Sequence, residues 1–331
     1  MVMAMKLVIS AIAAVLVVII VVLAMIPPGT DEGDDENETS DRLDSIPSTK
    51  QKIYPDMDEL PPVLHNDSWK SPVPLEEPIN TAGLEDSPFI TPDGQMFFFF
   101  FTPDIDKEPQ EQLIDGVTGI WWCQLINGSW TEPERIILSE DVSLDGAEWV
   151  SGDEMWFASV RVGNYREIDI YTAQLIGDEW TNVENAGTLL NENYDIDEFH
   201  FSPDGNRIYF GWICCDPYGD KDIYYLEKEN GSWGSPVLVE GVNSDQDEDQ
   251  PFITPDGNEM WFTGQSRLGY PGPSVFRSKW NGTGWGEPDE IISQFAGEPS
   301  LDAEGNIYFV HHYFDMTTGI IEADIYVAYK I

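Results

Sequence analysis

From residue 89 onward the chain alternates short apolar runs with acidic turns, and it repeats the same order several times. Full phrases run from Phe89-Ile90-Thr91-Pro92-Asp93-Gly94 into Met96-Phe97-Phe98, from Phe199-His200-Phe201-Ser202-Pro203-Asp204-Gly205 into Ile208-Tyr209-Phe210, and from Phe252-Ile253-Thr254-Pro255-Asp256-Gly257 into Met260-Trp261-Phe262. A worn copy spans Ala303 to Phe309 and a shortened one Trp149 to Phe157. Downstream of each lies a triplet ending in an aromatic residue, at Trp121, Tyr171, Tyr224, Phe276 and Tyr326, with intervals of 50, 53, 52 and 50 residues. A turn and a tryptophan follow at Asn127–Trp130, Gly177–Trp180, Asn230–Trp233 and Asn281–Trp285. Asn-Gly between apolar runs signals a hairpin, because both central residues of a type I′ turn take positive φ.

Each period therefore reads as four short antiparallel strands. No stretch after residue 27 holds an apolar period of 3.6, so helix contributes little. Four strands in a repeat of this length describe a β-propeller blade. Five first strands and five aromatic triplets are present, but only four turn-tryptophan marks follow them before Ile331. The missing strand is expected at the other end, where Asn66-Asp67-Ser68-Trp69-Lys70-Ser71-Pro72-Val73 matches Asn230-Gly231-Ser232-Trp233-Gly234-Ser235-Pro236-Val237. The predicted fold is all-β, a five-bladed propeller over residues 61–331, with the strand from Trp69 to Leu75 completing the last blade. Such closure pairs edges that would otherwise invite aggregation.

The phrase Ile79-Asn80-Thr81, then Glu85-Asp86-Ser87-Pro88-Phe89-Ile90-Thr91-Pro92-Asp93-Gly94, followed by Met-Trp-Phe and Asp-Ile-Tyr runs, resembles the WD40-like β-propeller repeat of TolB-type periplasmic proteins and envelope lipoproteins. The resemblance covers about four fifths of the chain and implies a protein-binding scaffold. The second repeat departs from it by lacking Pro-Asp-Gly.

Residues 7–26 form an uninterrupted apolar run of 20, enough to span a bilayer as a helix. Lys6 precedes it and seven acidic residues between Asp31 and Asp41 follow, an asymmetry that predicts a short cytoplasmic end at 1–6 and an extracytoplasmic propeller. The rival reading, a cleaved signal peptide, has a shorter apolar core and ends in small residues, whereas this run ends Ala-Met-Ile-Pro-Pro. The expected location is the cell membrane, single-pass. Residues 27–60, rich in Asp, Glu, Pro, Ser and Thr, read as an acidic disordered linker.

Sixty-one acidic residues against 16 basic ones give a net charge of −45, which repels nucleic acid and attracts cations. Three cysteines, Cys123, Cys214 and Cys215, exclude a disulfide framework. Glycosylation sequons stand at Asn37, Asn66, Asn127, Asn230 and Asn281; the last four are also turn positions.

Aligned on the repeats, Asp86, Asp197 and Asp249 are equivalent, as are Asn80, Asn191 and Asn243. Asp145, Glu148, Glu198 and Glu298 lie nearby in their own repeats, which predicts a ring of acid at one mouth of a central channel. Such a ring is the candidate ligand site, and Asp86, Asp197 and Asp249 could hold a hard cation such as Ca²⁺. The opposing reading is structural: Asp and Asn at a strand entry commonly cap their own loops, and a role repeated in every blade favours one every blade needs. Most tryptophans, namely Trp130, Trp156, Trp180, Trp233, Trp261 and Trp285, fall at repeat positions and should pack one blade on the next. Tyr165, Trp212, Tyr218, Tyr270, Tyr313, Phe314, Arg161, Arg166 and Arg267 fall in the unequal loops, where recognition is usually built. The reading is a membrane-anchored binding or scaffold propeller for an envelope or extracellular protein, without an identified catalytic residue. The alternative is a carbohydrate-active propeller, glycan-binding or furanosidase-like, using Glu148, Glu198, Glu298 and Asp86 as its carboxylates.

Overall fold

Each acidic turn reverses the chain into a hairpin by closing on its own side chain. Thr91 Oγ1 donates to Asp93 Oδ1 at 2.7 Å, the Gln95 amide donates to the same oxygen at 3.1 Å, and Gly94, at φ 68°, donates to the Thr91 carbonyl at 2.8 Å. The set recurs at Ser202, Asp204 and Gly205 and at Thr254, Asp256 and Gly257, so the repeated Pro-Asp-Gly is turn scaffold. The Ser202 hydroxyl and the Thr254 hydroxyl hold the Asp204 and Asp256 carboxyls below their ordinary range.

The computed structural model describes residues 42–194, 196–213 and 221–331. The helix expected over 7–26, the sequon at Asn37, Tyr218 and the Cys214-Cys215 pair lie outside the described residues. Within them the chain is all-β, with two short helices, Pro109–Leu113 and Thr188–Asn191. Antiparallel sheets follow one another along the chain in propeller-like succession. Leu84–Ile90, Met96–Thr102 and Gly119–Ile126 form the first group; Ser143–Ser151, Glu154–Arg161, Asp169–Ile176 and Glu179–Asn185 the second; Phe199–Phe201, Arg207–Trp212 and Asp222–Glu229 the third. Glu248–Ile253, Glu259–Gln265, Pro273–Lys279 and Asp289–Ser293 form the fourth, and Ala296–Leu301, Ile307–Asp315 and Gly319–Ala328 the last. The last and first groups merge into one nine-stranded sheet through a single parallel bridge, Ala323 to Leu84.

The N-terminal strand is shorter than expected and shares its work with another. Val73–Pro74 pairs antiparallel with Val327 and Tyr326, the Leu75 amide donates to the Ile325 carbonyl at 2.9 Å, and Trp69 forms an isolated bridge with Lys330. Upstream, Val63–Leu64 adds an outer strand to the fourth group by pairing with Ser293 and Ile292. This second addition has no counterpart in the repeat pattern.

Residues 42–60 correct the expectation of a disordered linker over 27–60. Arg42 is buried, lies over the rings of Phe99, Phe101 and Trp121, and donates to the Ile79 carbonyl at 2.9 Å. Lys50 pairs with Asp106 at 2.6 Å, Lys52 Nζ donates to Glu322 at 2.5 Å and contacts Asp324, and Asp58 lies 2.8 Å from His311 Nε2. The acidic composition of the segment hides three cations and one acid whose partners sit in the last and first strand groups.

The core is a series of aromatic clusters between neighbouring groups. Trp69, Trp261, Phe309, Tyr313 and Tyr326 form one; Phe89, Phe98, Phe157 and Tyr171 another. Trp261 is fully buried, and Trp130, Trp156, Trp180, Trp233 and Trp285 pack half-buried against their clusters, as their repeat positions require. A fully buried ring such as Trp261 stabilises by about 1.5–3 kcal/mol.

Candidate functional site: a two-level carboxyl channel

The first strands of four groups break register at the same place. Shifts fall between Asp86 and Phe89, Gly146 and Trp149, Asp249 and Phe252, and Gly297 and Ser300. At each, one non-glycine residue is left-handed: Ser87 at φ 48°, Ala147 at 51°, Gln250 at 54° and Glu298 at 54°. A β-bulge inserts a residue and re-aims side chains, and all four bulge residues line the cavities between the strand groups. Left-handed non-glycine backbone costs free energy and persists where surrounding structure over-determines it.

The result is two cavities, one below the other. The upper, about 640 Å³, is bounded by Asp86, Asp145, Asp197, Asp249, Lys221 and His312 on its polar side and by such residues as Leu84, Phe100, Leu144, Val160 and Phe314 on its apolar side. The lower, about 50 Å³, is bounded by Glu148, Glu298, His200 and Phe252. Ser87, Ala147, Glu198 and Gln250 border both, so three of the bulge residues and Glu198 form the neck between them. The predicted acids are thus brought together, but as two levels and not one ring.

Most upper-level acids already have partners. Lys221 Nζ lies 3.0 Å from both Asp197 oxygens and 2.6 Å from Asp249 Oδ2. Asp145 accepts from Ser143 at 2.9 Å, Ser159 at 2.6 Å and Arg161 at 2.7 Å. Asp86 Oδ2 is 4.0 Å from His312 Nε2. Between Asp197 and Asp249 the Lys221 ammonium therefore stands where a bound cation was expected, and among the described residues no three His, Cys, Asp or Glu side chains converge as a metal centre requires. Burial alone would lower the Lys221 pKa, but Asp197 and Asp249 outweigh it and hold the ammonium above its ordinary value. Burial raises Asp249 to about 6 even against Lys221.

The lower level is short of donors. Glu298 accepts from the Ser87 amide at 2.8 Å and from Gln250 Nε2 at 2.7 Å. Glu148, 6% exposed, has no hydrogen-bond partner on another described residue for either carboxyl oxygen; only its own backbone amide acts on the carboxyl, and it lowers the pKa less than burial raises it. Burial pushes Glu148 up to about 8. Glu198 is raised by burial and then by Asp197, Asp249 and Asp86; Glu298 by burial and then by Asp86 and Glu198. His200 packs on Phe252 at 4.4 Å between ring centroids, its Nδ1 is 3.2 Å from the Ile253 amide, and burial drives it down to about 3, so it is neutral.

The asparagine positions are structural. Asn80 Nδ2 donates to the Ile325 carbonyl at 2.9 Å while the Ile325 amide donates to Asn80 Oδ1 at 3.0 Å; Asn191 does the same with Ile170, and Asn243 with Ile223. Asp169 caps its own loop by accepting from the Tyr165 amide at 2.8 Å, and Asp324 accepts from Tyr313 at 3.1 Å besides contacting Lys52. The sequon residues serve turns: Asn127 and Asn230 are left-handed, Asn66 accepts from the Ser68 amide, and Asn281 from the Thr283 amide. Of the loop aromatics, Tyr165 is exposed, whereas Tyr313 is buried, Trp212 packs on Tyr194 and Tyr224, and Phe314 stacks on Phe295 at the cavity edge. Lys221 escaped sequence reasoning because nothing marks it as a repeat position; its only signal was scarcity of basic residues in an acidic chain.

No protein-family profile and no curated protein matches the chain. Among solved structures, TolB from Acinetobacter baumannii is similar at 17% identity and TM-score 0.43, over 76% of this chain and 55% of that one. A xylan β-1,4-xylosidase from Bacillus halodurans aligns at 12% identity and TM-score 0.47, over 76% of this chain and 54% of that one. An α-L-arabinofuranosidase from Podospora anserina aligns at 10% identity and TM-score 0.46, over 78% and 94%. The chain thus spans about half the length of two of these three proteins.

Proposed function

We propose that the chain is a five-bladed, membrane-anchored, extracytoplasmic propeller that acts as a binding module, and that the upper cavity is where it receives its partner. The observation that carries this is the 640 Å³ cavity itself: concave, walled by apolar side chains on one side and by acids on the other, at the convergence of every strand group. Val73–Pro74 pairing with the last strand completes the fifth blade and Ala323–Leu84 adjoins it to the first, which supports ring closure. The rim, at the Phe314 to Ile320 hairpin and at Ile105 and Asp106, belongs to the unequal loops, where partners are distinguished. A partner is expected to be a protein segment carrying apolar and basic groups, since the net charge of −45 steers cations inward.

The test is cross-linked capture of envelope proteins by the full-length chain, run in parallel with a Phe100→Asp variant that fills the apolar wall with charge. A partner captured by the wild type and lost by the variant supports the cavity as the binding surface; equal capture by both rejects it. Release of sugar from arabinofuranoside or xyloside substrates by the wild type would replace this reading with the glycoside-cleaving one.

A further inference from the structure

The lower cavity is a chamber without an occupant that suits its walls. It adjoins the neck of Ser87, Ala147, Glu198 and Gln250, and three acidic residues, Glu148, Glu198 and Glu298, border it. Glu298 has found two donors, but neither oxygen of Glu148 has one from another described residue, although the side chain is buried. A buried carboxyl without partners costs stability, so the fold would shed this arrangement unless something supplies the donors. Lys221 does not: its ammonium is committed to Asp197 and Asp249 on the upper level. His200 does not either, being neutral with Nδ1 against the Ile253 amide.

Resting on the reading of the upper cavity as a ligand site, we propose that the ligand carries a planar cationic group, an amidinium or guanidinium such as an arginine side chain, which passes the neck and donates two hydrogen bonds to Glu148. Three features fit that class. The chamber, about 50 Å³, has room for a small headgroup and not for a ring, while the cavity above it accepts an apolar body. Two unpartnered oxygens on one carboxyl match the two parallel donors of a planar fork. Glu198 and Glu298 flank the position with further acceptors, and Phe252 closes the wall with an apolar face.

The reading has a proton signature. Free Glu148, with its pKa pushed up to about 8, is mostly protonated at pH 7, and a cation beside it drives the proton off. Glu198 and Glu298 face the same chamber and are raised in the same direction; Asp86, Asp197, Asp249 and Lys221 face the neck from above.

The experiment is calorimetric titration of the full-length chain in detergent with benzamidine and with its neutral isostere benzamide, at pH 7 and pH 9. Benzamidine should bind about tenfold more tightly at pH 9, because the ionised fraction of a group of pKa about 8 rises about tenfold between those values. In buffers of different ionisation enthalpy at pH 7, binding should release about one proton, whereas benzamide should show neither effect. Glu148→Gln should reduce the pH dependence, leaving what Glu198 and Glu298 contribute, and weaken benzamidine at pH 9 at least tenfold. Absence of benzamidine binding at pH 9, equal affinity for the two compounds, or an unchanged pH dependence in Glu148→Gln would overturn the proposal. Should that variant fail to fold, proton release by the wild type decides: none released, and the cation is not held at Glu148. A captured partner that Phe100→Asp loses and Glu148→Gln retains would sink this inference alone and leave the binding reading standing.

Discussion

The side-chain amide of Asn80 clasps the backbone of Ile325 from both sides, giving to its carbonyl and taking from its amide, across 245 residues of chain. Its second donor reaches the Leu75 carbonyl at 2.7 Å, so one buried side chain fastens the closing strand to the last strand it completes. Asn80→Ala orphans the Ile325 groups and should cost about 1–3 kcal/mol. Urea denaturation of wild type and variant measures it, and an unchanged midpoint would show that the clasp is dispensable.

Lys221 is the counter-charge for two acids at once. Lys221→Met leaves Asp197 and Asp249 facing Glu198 without compensation and should destabilise by about 3–5 kcal/mol. Adding Asp249→Asn to Lys221→Met should restore part of the loss. Thermal melts of the single and double variants check this; a double variant no more stable than the single would contradict the charge argument.

Glu148 should make the protein less stable as the solution becomes more alkaline. Its folded pKa, about 8, lies above the ordinary carboxylate value of 4.5, so the folded state holds a proton that the unfolded state has released. Its stabilising contribution is complete below about pH 4.5 and is lost as pH rises to about 8, and Glu198 and Glu298 act in the same sense. Denaturation from pH 5 to 9 should show the decline, and Glu148→Gln should flatten it and be the more stable form at pH 9.

The strap over residues 42–60 should behave as part of the fold. Deleting it uncovers Glu322, which burial has raised to about 7, and leaves His311 without Asp58. The shortened chain should melt several degrees lower and lose protection of the Gly319–Ala328 strand in hydrogen exchange. Identical melting of the two forms would return the segment to the status of a tether.

Strand positions, the hairpin turns and the N-terminal strand on Val327 were legible because each is written locally: an Asn or Asp in a turn, an alternating run, a period near 50 residues. The acids of the channel were legible as residue types at aligned positions. Their division into two levels was not, because it depends on bulges at Ser87, Ala147, Gln250 and Glu298, which arise only when a first strand pairs with its neighbour out of register. The strap was misread for a related reason. Composition averages a segment, and the average of 27–60 hid Arg42, Lys52 and Asp58, each of which matters through partners more than 30 residues away.

By itself, then, the sequence determined the repeating unit, its turns and its aromatic packing, since these rest on propensity and apolar period within some ten residues. Tertiary structure alone decided which charges neutralise one another. Lys221 lies between two acids, and Glu148 meets no donor on another described residue, because desolvation and Coulomb terms depend on distances set by strand groups that border one cavity.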